Sequence, residues 1–137
     1  MLRLRRTLLT VALAACAAMP FGAAAQGWPD KTIVMIVPFP PGGVADTVAR
    51  PVAEALSREL KQPVVIENKA GSGGALGIGA AARAPADGYT VLLSLSSISI
   101  LPEADKILGR APQFQMEQFV SIARFTADPT VFGVRGD

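Results

Sequence analysis

Short runs of β-branched and other apolar residues alternate along the chain with glycine-rich turns and with longer segments of helical spacing. The three apolar runs are residues 32–38, 63–67 and 89–95. Uninterrupted apolar runs of this length predict strands that are buried on both faces. Between them, residues 45–60 and 75–84 predict two helices. Two consecutive β–α–β units predict an α/β fold with a parallel sheet and right-handed crossovers.

The first predicted helix carries Val48, Val52, Leu56 and Leu60 four residues apart. This spacing predicts a stripe that covers the sheet. Glu54 and Arg58 have the spacing of an ion pair on the solvent face. Pro51 falls inside the same segment, where it removes one hydrogen bond and crowds the preceding turn. It therefore predicts a kink or a helix that starts late.

Three loops follow the predicted strands, at residues 39–43, 68–74 and 94–99. In a parallel sheet all three lie at the carboxyl edge, where ligands of open α/β sheets bind. The loops are rich in Gly, Ser, Asn and Pro and poor in titratable groups. After Gly42 and Gly43 the first helix presents unpaired backbone N–H groups and the positive end of its dipole. These features predict an anion site built from backbone amides and hydroxyls.

The amino terminus predicts export. Arg3, Arg5 and Arg6 precede the uncharged stretch 7–22, and residues 23–25 form an Ala-Ala-Ala cleavage site. Residues 1–25 are therefore expected to be a signal peptide, because the apolar stretch is too short for a permanent membrane span. The adjacent arginines leave both the Sec and the twin-arginine route open. The tetrapeptide that ends at Cys16 resembles a lipobox, which leaves lipid anchoring as the alternative to a freely dissolved periplasmic protein.

Removal of the signal changes the chemistry available to the chain. Loss of three arginines changes the formal net charge from +2 to −1, so no nucleic-acid surface is predicted. The only cysteine leaves with the signal, and the whole chain lacks histidine. Disulfides, Ser-His-Asp catalysis and His-based zinc sites are thereby excluded. We expect no enzymatic activity, no metal site and no cofactor.

One glycine motif favours a different class of protein. Residues 71–77 read G-S-G-G-A-L-G, which is close to the dinucleotide-binding fingerprint. In that fold, however, the fingerprint follows the first strand, and an acidic residue ends the next strand. Neither condition is met, and no P-loop is present. A nucleotide-binding enzyme domain remains the alternative interpretation.

Three motifs in order resemble the Bug or TctC family of periplasmic solute-binding proteins. They begin at Trp28 (W-P-D-K-T-I-V-M-I-V-P-F-P-P-G-G-V-A-D), Gln62 (Q-P-V-V-I-E-N-K-A-G-S-G-G) and Ala84 (A-P-A-D-G-Y-T-V-L-L). The resemblance implies a type II periplasmic-binding-protein fold that closes two lobes on a carboxylate-bearing solute and works with membrane permease subunits. Family members are about twice as long. Residues 26–137 are therefore expected to be an incomplete N-terminal α/β lobe without its second lobe.

The same resemblance assigns ligand-binding residues, although it does not identify the solute. The residues matched in the first two loops are Phe39, Pro40, Gly42, Gly43, Asp46, Asn68, Gly71, Ser72, Gly73 and Gly74. In the family, backbone groups and ordered waters hold the near carboxylate, so Asp46 either orients a water or stabilises the helix dipole. The third loop departs from the family pattern, and Ser96 and Ser97 are its candidate hydroxyl donors. A ligand-sensing partner of a membrane signalling protein is a further alternative, because a periplasmic binding lobe can serve either role.

The first prediction concerns processing. Because residues 23–25 offer a signal-peptidase site, the exported product should begin at Gln26. Intact-mass spectrometry of the periplasmic fraction measures this directly. A mature terminus at a diacylglyceryl-modified Cys16 would contradict it and would establish a lipoprotein.

Overall fold

The computed structural model of the chain describes residues 27–127, so the predicted signal peptide lies outside the described residues. The strands are β1 (Ile33–Val37), β2 (Val64–Asn68) and β3 (Thr90–Leu92). The helices are α1 (Val44–Leu60), α2 (Ala75–Ala82) and α3 (Ser97–Ile107). Single 3₁₀ turns occupy Ser72–Gly74 and Met116–Gln118. Within residues 27–127, no helix has both the length and the apolar character that crossing a bilayer requires.

The three strands form one parallel sheet in the order β2-β1-β3. Met35, in the middle of β1, stands opposite Ile66 of β2 and Val91 of β3. The predicted α/β class and the βαβαβ lobe with a parallel sheet are confirmed. The chain moves from β1 outward to β2 and then back across β1 to β3. Because these two steps run in opposite directions, right-handed connections place α1 and α2 on opposite faces of the sheet.

Burial differs sharply between the central strand and its neighbours. Ile33, Met35, Ile36 and Val37 of β1 are at most 4% exposed, as predicted. The prediction that the second strand is buried is wrong, because its residues alternate between half-buried and exposed and Val65 is 51% exposed. This strand lies at an edge, and α2 packs on β1 and β3 rather than over it. The third strand is shorter than predicted and half-buried.

The side of α1 that faces the sheet is made of small residues. Ala45, Ala49 and Ala53 are 0–4% exposed and form a core cluster with Met35 and Val37. The predicted stripe is therefore only partly right. Its members Val48, Val52 and Leu56 are half-buried and flank the alanines, whereas Leu60 lies outside this cluster. Small side chains on the contact line let the helix approach the sheet closely, and larger ones fill the space on either side.

Of the two predicted alternatives at Pro51, the late start is wrong, because helix α1 begins at Val44 and runs through the proline. The kink stays a prediction. The proline is exposed on the outer side of the helix, where its ring faces solvent. Packing of the alanine side against the sheet stabilises the helix on both sides of the proline and outweighs the lost hydrogen bond. The predicted pair on the solvent face is present, with Arg58 Nη1 at 2.8 Å from Glu54 Oε1.

Helix α3 is not predicted by the sequence pattern. Residues 97–99 belong to a predicted loop, and they form the first turn of the helix instead. The segment is rich in serine and contains Pro102, which disfavour a helix interior when only local preference is considered. The buried Pro102 and the packing of α3 against α2 and the Ser72–Gly74 turn decide its structure. Tertiary contacts therefore override the local signal.

Helix α2 lies unusually close to the end of β1, and Gly77 makes this possible. A Cβ atom at Gly77 would lie 2.6 Å from the Lys69 carbonyl oxygen and 2.7 Å from Pro38 Cβ. Such distances are well inside van der Waals contact, and the first belongs to backbone that cannot rotate away. The helix can therefore occupy this position only with glycine at residue 77.

The second prediction follows from this contact. Gly77→Ala should lower the free energy of unfolding by about 1–3 kcal/mol, because overpacking outweighs the gain in helix propensity. Gly79→Ala in the same helix is the matched control. A Cβ there would first meet the flexible end of the Arg83 side chain at 3.2 Å, so this variant should be close to neutral. Urea unfolding followed by circular dichroism measures both variants, and equal stability of the two would contradict the packing argument.

Candidate functional site

The carboxyl ends of all three strands meet at one edge of the sheet, and the predicted loops lie there together. The Asn68 side-chain amide, at the end of β2, donates to the Phe39 carbonyl oxygen at 3.0 Å. The Phe39 ring in turn packs on Gly74, since a Cβ at Gly74 would lie 3.3 Å from Phe39 Cζ. Leu101 of α3 lies against Gly73 of the same turn. The first two loops and helix α3 therefore form one continuous surface.

The amino terminus of α1 opens onto this surface without a side-chain cap. Its N-cap residue is Gly43, which has φ −76° and ψ 175° and makes no side-chain hydrogen bond. The first helical amide with a partner is that of Thr47, which donates to the Gly43 carbonyl at 2.9 Å. The amides of residues 44–46 precede it, in the turn where a helix leaves its N–H groups unpaired. A 17-residue helix thus directs three amides and its positive dipole end at the loop.

Asp46 lies in that first turn, but its carboxylate is buried and fully engaged. Its residue exposure is 1%. Oδ2 accepts from the Gly42 backbone amide at 2.8 Å and from Arg50 Nε at 2.8 Å. Oδ1 accepts from Arg50 Nη2 at 3.2 Å and from Asn68 Nδ2 at 3.1 Å. The carboxylate therefore ties the first loop to the end of β2, and a role in holding a water stays a prediction.

These hydrogen bonds also lower the pKa of Asp46. The Gly42 amide is the strongest cause, and Asn68 and Arg50 act in the same direction. Burial opposes them, because it disfavours the charged form. The hydrogen bonds prevail, so the carboxylate is ionised at neutral pH.

The second loop has an unusual backbone. Gly71, Ser72, Gly73 and Gly74 have φ values of 148°, 50°, 66° and 106°, which are conformations that residues other than glycine rarely adopt. The turn is closed by the Gly74 amide, which donates to the Gly71 carbonyl at 2.9 Å. Gly74 is buried, whereas residues 71–73 are exposed at the edge. Four consecutive residues of positive φ thus bring exposed backbone next to the start of α2.

The third loop contributes hydroxyl groups. The Oγ atoms of Ser94 and Ser97 are buried, and neither has a hydrogen-bond partner among the described residues. Ser97 is a predicted site residue, although it begins α3 rather than lying in a loop. Ser96, the other candidate, is the exposed N-cap residue of that helix. Ser94 is not among the residues predicted from the sequence, but its position directly after the third strand is the signal that could have identified it.

The donors at this edge define its chemistry. Backbone amides and two buried hydroxyls can hold a hydrogen-bond acceptor or an anion, and the Asp46 carboxylate beside them is already paired with its own donors. Within residues 27–127, no group of three or more acidic or cysteine side chains comes together in a way that could hold a metal ion. The predicted residues Pro40, Gly42 and Gly43 border the α1 amides, and Asn68 lies behind them with Asp46.

Comparison with known proteins identifies the family. A family model described as "Tripartite tricarboxylate transporter family receptor" matches residues 48–137. The chain belongs to this receptor family. The resemblance to Bug and TctC proteins drawn from the three motifs is thereby confirmed.

Individual relatives are similar over parts of the chain. Protein BugT of Bordetella pertussis is 55% identical over 73 residues, which are 53% of this chain and 22% of BugT. A UPF0065 protein from the tcbD-tcbE intergenic region of Pseudomonas sp. strain P51 is 34% identical over 134 residues, 97% of this chain and 39% of that protein. The chain spans between 22% and 40% of the length of the curated relatives it matches.

A solved structure is also similar. MatC from Rhodopseudomonas palustris with bound malate is 42% identical, and the match covers 47% of this chain and 22% of that one with a TM-score of 0.46.

The third prediction tests Asp46 as the connection between the loops. Its folded pKa is below the ordinary value of 3.8, so its stabilisation is complete above that pH and is lost as pH falls through the folded pKa. Asp46→Asn should lower the melting temperature by several degrees at pH 7. The difference in melting temperature between the variant and the unmodified chain should shrink below pH 4. Protonated Asp46 also loses the hydrogen bonds that depend on its negative charge.

Glu54→Gln is the control for this experiment, since Glu54 also pairs with an arginine four residues later, but at 71% side-chain exposure. It should change stability little at any pH. Thermal unfolding between pH 3 and pH 7 measures both variants. Equal and pH-independent effects of the two substitutions would show that Asp46 does not connect the loops.

Proposed function

We propose that this protein is the periplasmic solute-binding receptor of a tripartite carboxylate transporter. In this role residues 1–25 direct export, the remaining chain binds a small carboxylate in the periplasm, and membrane permease subunits receive the solute. The protein performs no chemistry on the solute. Membership of a family of tricarboxylate transporter receptors supports both the role and the carboxylate class of the solute.

The uncapped amino terminus of α1 is the observation that carries the proposal. A carboxylate beside Gly43 would accept hydrogen bonds from the amides of residues 44–46 and would face the positive end of the helix dipole. Asp46 does not compete for these amides, because its oxygens are engaged by Gly42, Arg50 and Asn68. The network thus fixes the loop without using the amides of the first helical turn.

The serines of the third loop support the same site. A buried hydroxyl without a partner costs about 1–3 kcal/mol, so such groups are uncommon unless a ligand or water satisfies them. Ser94 and Ser97 are two such groups at the edge where the loops converge. In the proposed complex, each donates to the bound solute or to a water that the solute holds.

The fourth prediction uses a substitution whose own side-chain carboxylate would occupy the proposed anion site. Gly43→Asp introduces a carboxylate at the N-cap, where it would accept hydrogen bonds from the same helix amides. The backbone of Gly43 is already extended and a Cβ there would approach only the Pro40 carbonyl, at 3.4 Å, so the variant should fold. With malate as the probe, the variant should bind at least tenfold more weakly. Its free energy of unfolding should rise by a few tenths of a kcal/mol.

Titration calorimetry of the exported chain with malate measures the affinity, and malate diamide is the uncharged control ligand. Gly43→Ala is the control variant, because it adds a Cβ without a cap and should retain most of the binding. Unchanged malate affinity in Gly43→Asp would exclude the α1 amides as the carboxylate site. Equal binding of malate and its diamide would exclude an anion site altogether.

A further inference from the structure

A polar cleft opens beside the second glycine loop, between the start of α2 and helix α3. Its volume is about 210 Å³. The side chains that matter for its chemistry are those of Ser72, Leu101, Asp105, Arg110 and Gln113. Ser72 belongs to the turn whose Gly74 packs on Phe39, so the cleft adjoins the surface proposed to hold the carboxylate.

An oriented guanidinium lies in this cleft. Arg110 Nε donates to Asp105 Oδ1 at 3.0 Å, and Arg110 Nη2 lies 2.9 Å from the same oxygen in the ion pair. The Arg110 backbone amide also donates to the Asp105 carbonyl, at 2.8 Å. The Asp105 side chain is 15% exposed, whereas that of Arg110 is 63% exposed. A mostly buried carboxylate therefore holds one side of an accessible guanidinium.

The remaining donors of Arg110 suit a second carboxylate. A guanidinium carries five N–H groups, and the contacts of Nε and Nη2 with Asp105 leave about three of them for other partners. These include the outer pair on the two Nη atoms, whose parallel geometry matches the two oxygens of a carboxylate. Because Asp105 already fixes the group, little further ordering is needed on binding. Since the ion pair is nearly neutral, directional hydrogen bonds rather than net charge would provide the recognition.

We propose that Arg110 binds a second carboxylate at the far end of the solute, so that the receptor selects dicarboxylates over monocarboxylates of equal length. This inference rests on the proposed function, which supplies the first carboxylate position at α1. It adds a specificity-determining residue that lies outside the three loops. Arg110 follows α3 and takes no part in the hydrogen bonds that hold the loops together.

The experiment compares ligands that differ by one carboxylate. The exported chain is titrated with succinate, glutarate and adipate and with their monocarboxylate counterparts butanoate, pentanoate and hexanoate. At one chain length or more, the dicarboxylate should bind at least tenfold more tightly than its counterpart. Arg110→Gln should remove this preference and leave monocarboxylate affinity within about twofold. Arg110→Lys should retain part of it, because an ammonium keeps the charge but not the parallel donors.

Arg58→Gln is the matched control, since Arg58 also forms an exposed ion pair, 2.8 Å from Glu54 on the solvent face of α1. This variant should change neither the dicarboxylate affinity nor the monocarboxylate affinity. If the unmodified chain binds monocarboxylates, but Arg110→Gln leaves the ratio of dicarboxylate to monocarboxylate affinity unchanged, the role of Arg110 is overturned. The proposed function is then unaffected. An equal loss for both ligand types would also overturn the role of Arg110, because it would indicate a structural role. If the unmodified chain binds none of the six acids, the proposed function fails as well.

Discussion

The hydrogen bonds of the buried Asp46 carboxylate are the interactions on which the geometry of the carboxyl edge of the sheet depends. An ion at 1% exposure is stable only when hydrogen bonds replace the water it has lost. Here the donors come from three places: the Gly42 amide in the first loop, Arg50 one turn further along α1, and Asn68 at the end of β2. Loss of any one partner would leave a buried charge short of donors, so the three elements are held in one arrangement.

This network also explains why α1 stays open at its amino terminus. An acidic residue at the third helical position often reaches back to the backbone of the N-cap residue and completes a cap. Asp46 reaches one residue further, to Gly42, and Gly43 has no side chain to bond the helix amides itself. The negative charge lies in the first turn, where the Arg50 guanidinium pairs with it and the Asn68 amide donates a further hydrogen bond to it. An uncapped helix end thus remains beside a rigid loop.

Local sequence patterns are sufficient to predict β1, the turn that follows it and the start of α1. The β-branched run of β1 and the glycines after it predict a buried strand, a turn and a helix start within one or two residues of those observed. Local sequence patterns do not predict features that depend on contacts between residues far apart in the chain. Asn68 and Asp46 are 22 residues apart, so no periodicity could show that they share a hydrogen bond. For the same reason the sequence leaves open whether Asp46 orients a water or stabilises the helix dipole.

The wrong predictions have the same origin. Whether β2 is buried depends on its place at the sheet edge, which follows from the strand order and not from its own residues. In α1, the spacing of valines and leucines identifies the correct side, but the alanines between them make the closest approach, because shape rather than hydrophobicity decides contact with a sheet. Helix α3 forms despite its serines and Pro102 because its neighbours provide the packing that local preference does not reveal.

The division between backbone and side-chain donors determines what such a site can recognise. Amides at a helix end respond to negative charge and to little else, since they make the same hydrogen bonds to any carboxylate. They also do not depend on side-chain identity, apart from the glycines that keep them accessible. Selectivity would therefore come from side chains near such an anchor. Ser94 and Ser97 follow the third strand, and Arg110 lines the cleft beside the second loop. Because these residues take no part in the Asp46 network, changes at them should leave the arrangement of the loops intact.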